Sequence, residues 1–548
     1  MKEKIILVSI LLLGMCLRFY QLGINPPSLD WDEASQGYNA YSILTTGKDE
    51  YGNLLPLSIR SFDDYKPPAY TYLTASSVAL FGLTLFAVRL PSAVIGTFTI
   101  IVVFLLTKEI EEDIFKKKHF HPVALLTSFF FAISPWSLQF SRAAFEGNIG
   151  VFFFALGLFF FFQGLKNKWY YFISSISFLI VLYSYHSFRL LVPLLFIALG
   201  VLYWKELKKQ FIVVLIAFAI CFFGSLPILQ SLILSSSTTD ARFATVTIFS
   251  DQTTLDSSIK QLEKAQKYHD IAGEILANRR IVWISTLTKN YLEHFSPDFL
   301  FLQGDSGQQH QAIGMGMLYL WDLPFLLIGI YALVTFRNKK SFLVFFLILI
   351  APVPSAVATG APHAVRDIGS LPFMQIAVAI GVFTSSLFLK KHFSQMLYFG
   401  FVILASVVLF CNFLYYLHQY YVVTPRDNAL YWQYGYQQVF AYAKLQEKNY
   451  QHILVTYYYD QPYIYYLFFN KINPSWYQHY WQTTERMSAI RMYRKIGKYE
   501  FLPIDWSAMR GRKNTLIIAS PHEVPDTVKS LHNIYFPDGS IAFEAIAQ

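Results

Sequence analysis

"KIILVSILLLGMCLRFYQLGINPPSLDWDEA" (residues 4–34) decides what kind of protein this is. Its first half is an apolar run of the length needed to cross about 30 Å of hydrocarbon. Its second half closes on three carboxylates, Asp30, Asp32 and Glu33, set between Pro and Trp. Lys2 and Lys4 ahead of the apolar run give it the look of a signal peptide. No small-x-small cleavage site follows, and Met15 before Cys16 does not suit a lipoprotein signal, so a retained first helix is expected.

The rest of the chain agrees with a membrane setting. Of the 548 residues, 54% are apolar, 18% aromatic and 14% charged, against about a quarter charged in soluble domains. The formal charge of +9 is therefore read by location, as a report of orientation and not of nucleic-acid binding. Cys16, Cys221 and Cys411 all lie inside apolar runs, so neither a disulfide framework nor a zinc site is implied.

Apolar runs of spanning length fall near 5–22, 91–107, 121–138, 147–165, 169–185, 188–204, 210–229, 317–336, 341–356, 368–389 and 395–417, which predicts about eleven transmembrane helices. "KEIEEDIFKKKH", "KNK", "KELKK", "RNKK" and "KKH" recur at every second junction. Lys and Arg concentrate in cytoplasmic loops, so these junctions and the N-terminus face inward. "AYTYLTASSVALFGLTLF" (69–86) is apolar enough to cross, but counting it would invert every later loop, so it reads as a re-entrant or interfacial helix on the outer side.

Three large pieces then face outward: the first loop, 23–90; a long loop, 230–316; and a tail, 418–548, patterned like a soluble α/β domain. In the tail "HILVTYYY" and "NTLIIAS" read as buried strands, with helices near 433–447 and 460–470. The fold class expected is a polytopic α-helical membrane protein (1–417) with outer juxtamembrane helices and a C-terminal α/β domain. A packing or lid module without catalytic residues is the simplest role for that tail.

The outward pieces carry the chemistry. Asp32 and Glu33 are adjacent, so on a helix they point about 100° apart and cannot do the same job. Either could take a proton from an incoming hydroxyl, while Asp30 suits the N-cap of the helix-like "WDEASQGYNAYSIL". In "SFDDYKPPAY", Asp63, Asp64 and Lys66 precede a diproline that fixes extended backbone. Lys66 is thereby presented as a point charge suited to a phosphate, or stands as a solvated lysine on a turn.

Three short outward junctions each carry one arginine, against the usual bias: Arg142 in "PWSLQFSRAAFEGN", Arg189 in "YSYHSFRLL" and Arg366 in "APHAVRDIGSLPF". His186 and His363 stand within three residues of two of them. Such cations could seat a lipid phosphate or simply snorkel to headgroups. Glu146, four residues after Arg142, could be a second acid of the site or that arginine's helix partner. In "PDFLFLQGDSGQQHQAIGMGMLYL" (297–320), Asp305 and His310 could contact sugar hydroxyls, or belong to ordinary turn chemistry.

In order and spacing, "WDEA", "KPP", "VRLPSAVIG", "FSRAAFEGN", "GD…H" at 304–310 and "RDIGSLPF" resemble the GT-C glycosyltransferases. The branch is that of protein O-mannosyltransferases and the bacterial aminoarabinose transferase of lipid A, and the likeness covers about residues 5–417. It implies a polyprenyl-phosphate sugar donor, a lipid, glycan or protein acceptor, and transfer with inversion on the outer face of the cytoplasmic membrane. Asp32 would be the general base, and Lys66, Arg142 and Arg366 candidates for the donor phosphate, with Arg189 and His363 beside them. Lys66 stands where the mannosyltransferases typically carry His before the diproline, and Glu146 where relatives often have Asp. No nucleotide-binding glycine motif is evident. A divalent metal is possible from the acids present, although no ligand cluster has metal spacing in the sequence. The alternative, a transporter, flippase or polymerase of lipid-linked glycans, would favour ionisable residues in mid-span and paired repeats.

Overall fold

The computed structural model describes residues 1–62, 64–116, 119–234, 247–485 and 492–548. Asp63, Lys117, Lys118 and part of the long 230–316 loop, all invoked above, lie outside the described residues. The chain divides into two compact units. One comprises Met1–Arg18, Val94–Ser141 and Phe145–Tyr416; the other comprises Phe19–Ala93, Arg142–Ala144 and Leu417–Gln548.

The first unit is a helical bundle. Every apolar run expected to span holds helix, and among the described residues six helices are long and apolar enough to cross a membrane, or seven if one bent pair counts as a span. The protein is a multi-pass helical membrane protein. Tyr170–Leu182, Phe188–Leu202 and Asp322–Thr335 are shorter apolar helices. The last begins five residues inside its apolar run, at Asp322, whose carboxylate accepts the Tyr319 N–H (3.0 Å) of the preceding turn. Gln395–His418 is apolar and exposed on nearly all sides, a surface that suits hydrocarbon and not water.

Two local rules shape this bundle. The helices Pro122–Ile133 and Pro135–Arg142 meet at a bend of 54°, because Pro135 has no N–H for the Phe131 carbonyl. Arg18 fills the gap: it donates to Ala132 O (3.1 Å), Phe131 O (3.5 Å) and Ser137 Oγ (2.6 Å). Elsewhere Gly329 and Gly381 let two helices meet backbone to backbone. A Cβ on Gly329 would stand 1.8 Å from Ala377 O, and one on Gly381 1.9 Å from Phe325 O.

The second unit joins the first loop to the end of the chain. Its helix Trp31–Thr46 starts on an Asp30 capping box and stops at Gly47, whose φ of +71° only glycine adopts freely. A hairpin follows, β1 (Ile59–Ser61) antiparallel to β2 (Asp64–Lys66). Pro67 and Pro68 end β2 and seed the helix Ala69–Phe81, which stops at Gly82. At 13 residues that helix is about 20 Å long, too short to cross the bilayer core.

The tail folds as a mixed sheet in the order β4–β5–β3–β6–β8–β7, where β3 is His452–Thr456, β4 Arg494–Ile496, β5 Tyr499–Leu502, β6 Thr515–Ala519, β7 His532–Tyr535 and β8 Ile541–Ala547. The two apolar runs read as strands are β3 and β6, parallel and adjacent at its centre. Such runs need cover on both faces. Helices Tyr436–Gln446 and Pro462–Phe469 bear on one another, and the second also contacts the helix Trp31–Thr46.

The loop and tail are bolted by buried polar contacts. Gln478 donates to Ser42, Thr46 and the Asp49 carbonyl, each at 2.9 Å. Tyr465 donates to Leu29 O and Tyr38 to Ile472 O. Arg494, fully enclosed, sits 3.6 Å from the Tyr463 ring and donates to the Tyr51 and Tyr477 hydroxyls. Glu50 is buried near it, and burial, offset in part by the Arg494 charge, raises its carboxyl to about 7.

A native pKa above the unfolded value means that the folded chain holds a proton the unfolded one has lost. Stability should then fall as pH rises from about 4.5 to about 7, by on the order of 3 kcal/mol. Glu50→Gln should remove this slope. Thermal unfolding at pH 5 and pH 8 should show the variant gaining on the parent as pH rises, and a pH-independent difference in Tm would contradict it.

Candidate functional site

Within the second unit the opening carboxylates separate into three roles. Asp30 is the N-cap: its Oδ1 accepts the Glu33 N–H at 2.7 Å. Burial first, then the charges of Glu33 and Asp32, push its carboxyl well above the usual range. Glu33 is 2% exposed and fully engaged. Its two oxygens take a forked pair of bonds from Arg89 (Nε 2.9 Å, Nη2 2.8 Å), and it also accepts the N–H groups of Asp30 and Ala144. Arg89 spends its other protons on the carbonyls of Leu22, Pro26 and Ser28, beneath the Trp432 ring.

Asp32 alone of the three keeps an open face, with a side chain 44% exposed. Its partner is Lys66, buried to 8%, whose Nζ lies 2.5 Å from Oδ1. The diproline that ends β2 and the capping box that starts the helix thus bring the expected base and the expected phosphate cation into contact. Asp64 accepts its neighbour's N–H from Tyr65 (2.7 Å) on the same strand.

Arg142 is 1% exposed. Its guanidinium donates to the Tyr420 hydroxyl and the Asn25 carbonyl, both at 3.0 Å, and faces the rings of Tyr420 and Tyr421. It stitches the first loop to the tail. The sequence reading had no signal for Tyr420, Trp432 or Arg494. Arg89 did carry one: a charge inside the apolar run "FAVRLPSAVIG" requires a buried counter-charge.

Within the first unit a second cluster forms around Asp305. Its carboxylate accepts the N–H groups of Gly307 (2.6 Å) and Ala364 (2.7 Å). His310 Nδ1 lies 2.7 Å from Oδ2, and His363 Nδ1 lies 3.9 Å from the same oxygen. These three form a group able to hold a metal ion, their ligand atoms all within 4.8 Å of one another. His294, not singled out in the sequence, stands behind them. Its Nδ1–H donates to Asn290 O (2.7 Å), which leaves Nε2 to accept from Ser355 Oγ (2.7 Å) and the His363 N–H (3.3 Å). Burial lowers its pKa to about 4, so it acts as a neutral acceptor. Arg366 is half-buried and donates to Thr359 O at 2.6 Å, which braces the same loop.

Arg189 donates to Leu182 O (3.2 Å) and lines one end of an apolar groove of about 430 Å³ between Phe188–Leu202 and Phe211–Leu234. A second cavity of about 270 Å³ shares Phe196, Phe218 and Cys221 with it and continues toward Leu207. Glu146 is buried in the first turn of the helix Glu146–Lys166, where the helix dipole favours an acid.

Comparison with known proteins now bears on these observations. The family described as dolichyl-phosphate-mannose-protein mannosyltransferase matches residues 65–229. No curated protein sequence matches the chain. Among solved structures, the oligosaccharyltransferase AglB of Archaeoglobus fulgidus, in complex with an inhibitory peptide and a dolichol-phosphate, superposes with a TM-score of 0.51 at 12% identity. The match covers 84% of this chain and 63% of AglB, so the chain spans less than two thirds of that protein. ArnT from Cupriavidus metallidurans bound to undecaprenyl phosphate matches over 98% of this chain and 97% of its own, at 11% identity and a TM-score of 0.49. The fold is of the GT-C kind, and the likeness to the protein O-mannosyltransferase branch read from the sequence is supported by the family match.

The Glu33–Arg89 pair supplies a test of the architecture. Removing one partner strands a buried charge, at about 3–5 kcal/mol. Arg89→Ala should destabilise the protein by that order, and Arg89→Ala combined with Glu33→Gln should cost less than the sum of the singles. Additive losses in a double-mutant cycle would show that the two are not coupled.

Proposed function

We propose that this protein is a membrane glycosyltransferase that moves a sugar from a polyprenyl-phosphate donor to an acceptor hydroxyl at the outer face of the cytoplasmic membrane. The observation that carries the reading is the Asp32–Lys66 pair: an accessible carboxylate held against a buried ammonium at 2.5 Å. The fold likeness and the family match over residues 65–229 support a reading of this kind.

The pair suits an inverting displacement. The acceptor oxygen attacks the anomeric carbon, and the bond from that carbon to the phosphate oxygen breaks. Asp32 takes the hydroxyl proton. Protonation of Asp32 removes its negative charge from beside Lys66 as the departing polyprenyl phosphate gains one, so the ammonium's attraction shifts toward the leaving group. Glu33 is engaged on all sides and acts in this scheme by positioning: its forked bond to Arg89 fixes the helix turn that aims Asp32. Arg142, likewise enclosed, braces the loop.

The groove that begins at Arg189 fits the donor's lipid. Its lining is almost wholly apolar, and a guanidinium at one end matches a phosphate joined to a long hydrocarbon. Asp64, two residues before Lys66 on the same strand, serves sugar or acceptor recognition in this reading. Sugar and acceptor are to be found by mass spectrometry of envelope glycans from cells with and without the protein.

Asp32→Asn should then reproduce the glycan profile of cells lacking the protein, with transfer down at least about a hundredfold, while purified protein stays folded. Wild-type glycans from a well-folded Asp32→Asn variant would overturn the base assignment.

A further inference from the structure

We propose that Asp305, His310 and His363 bind one divalent transition-metal ion of the zinc type. The site is built from two loops, with Asp305 and His310 in one and His363 in the other. A carboxylate and two imidazoles are the donor set of three-ligand zinc centres, which leave a fourth position open. Magnesium or calcium would want oxygen ligands instead.

The spacing fits. With metal–ligand bonds of about 2.0–2.2 Å, tetrahedral ligand atoms stand about 3.4 Å apart. The Asp305 Oδ2 distances to the two imidazole nitrogens, 2.7 and 3.9 Å, bracket that value. The His310 and His363 ring centres are 4.8 Å apart. Small rotations of two side chains would regularise the site.

A second observation points to a missing ligand. His363 Nδ1 is buried and has no hydrogen-bond partner among the described residues. The Asp305–His310 hydrogen bond alone would account for His310 as a loop clasp, but it leaves this nitrogen aimed at the carboxylate from too far to bond. The outer contacts also suit ligation. Asp305 is held by two backbone N–H groups, and the His363 backbone is held by His294, so both loops present their donors from fixed positions.

Charges facing the cluster are mixed. Arg366 bears on His363 and His294 and opposes a bare cation, while Asp305 favours one. Together they leave the open position suited to an anionic oxygen ligand. Phe140 and Phe145 wall His310, with ring centres 5.9 and 5.6 Å away.

The test uses the full-length protein in detergent, stripped with a chelator and titrated with Zn²⁺ by calorimetry and with Co²⁺ by visible absorption. One Zn²⁺ per chain and tetrahedral Co²⁺ bands are expected. Asp305→Asn and His363→Ala should each weaken Zn²⁺ binding at least tenfold, whereas His392→Ala, an exposed histidine elsewhere, should not. Because an alanine variant could fail to fold, His363→Cys provides a second arm: it should keep the metal and add a thiolate-to-cobalt charge-transfer band. Wild-type protein that takes up no Zn²⁺ at micromolar concentration, or His363→Ala that binds as wild type does, overturns the site. So does a folded His363→Cys that binds Co²⁺ without the new band. Glycan transfer without metal binding would sink this site and leave the glycosyltransferase reading standing; metal binding without transfer would do the reverse.

Discussion

The forked bond between Glu33 and Arg89 fixes the geometry on which the proposed chemistry rests. Two opposite charges, each nearly inaccessible to water, are tolerated only when every lone pair and proton finds a partner, and here they do. Arg89 gathers three backbone carbonyls from the turn after the first helix, and Glu33 gathers two backbone N–H groups besides. The result is a rigid start to the helix Trp31–Thr46. Its one accessible acid, Asp32, is left facing outward from that turn, and Lys66 reaches it because a diproline ends its strand at the right place.

Around this centre, the second unit repeats one device: a long cation enclosed by aromatic rings and carbonyl oxygens. Arg89 lies under Trp432, Arg142 beside Tyr420 and Tyr421, and Arg494 against Tyr463 with Tyr51 and Trp481 near. Guanidinium is weakly hydrated and planar, so it accepts such surroundings at lower cost than an ammonium would. These clamps tie residues 19–93 to residues 417–548. The tail is therefore part of the scaffold that holds the first loop, and not merely a cap placed on it.

The helical unit solves a different problem. Backbone groups freed by prolines must find partners where water is scarce, and Arg18 at the Pro135 bend does this with its side chain. Where helices need close approach, Gly329 and Gly381 remove the obstacle.

Much of this was legible in the amino-acid order alone. Apolar runs of spanning length, a change of period after residue 417 and lysines at alternate junctions depend on local composition, and so they point to a membrane bundle with an appended α/β domain. Asp30 as a cap, Lys66 before a diproline and Asp32 as the acid left over follow from short-range rules as well. Partner choice does not. That Arg142 is enclosed by Tyr420 from the far end of the chain, that Glu33 belongs to Arg89, and that His363 meets Asp305 and His310 across two loops are facts of long-range closure. A sequence states which groups are charged, but only the folded chain decides which of them lose water and which keep it. That loss of hydration separates a clamp from a catalyst.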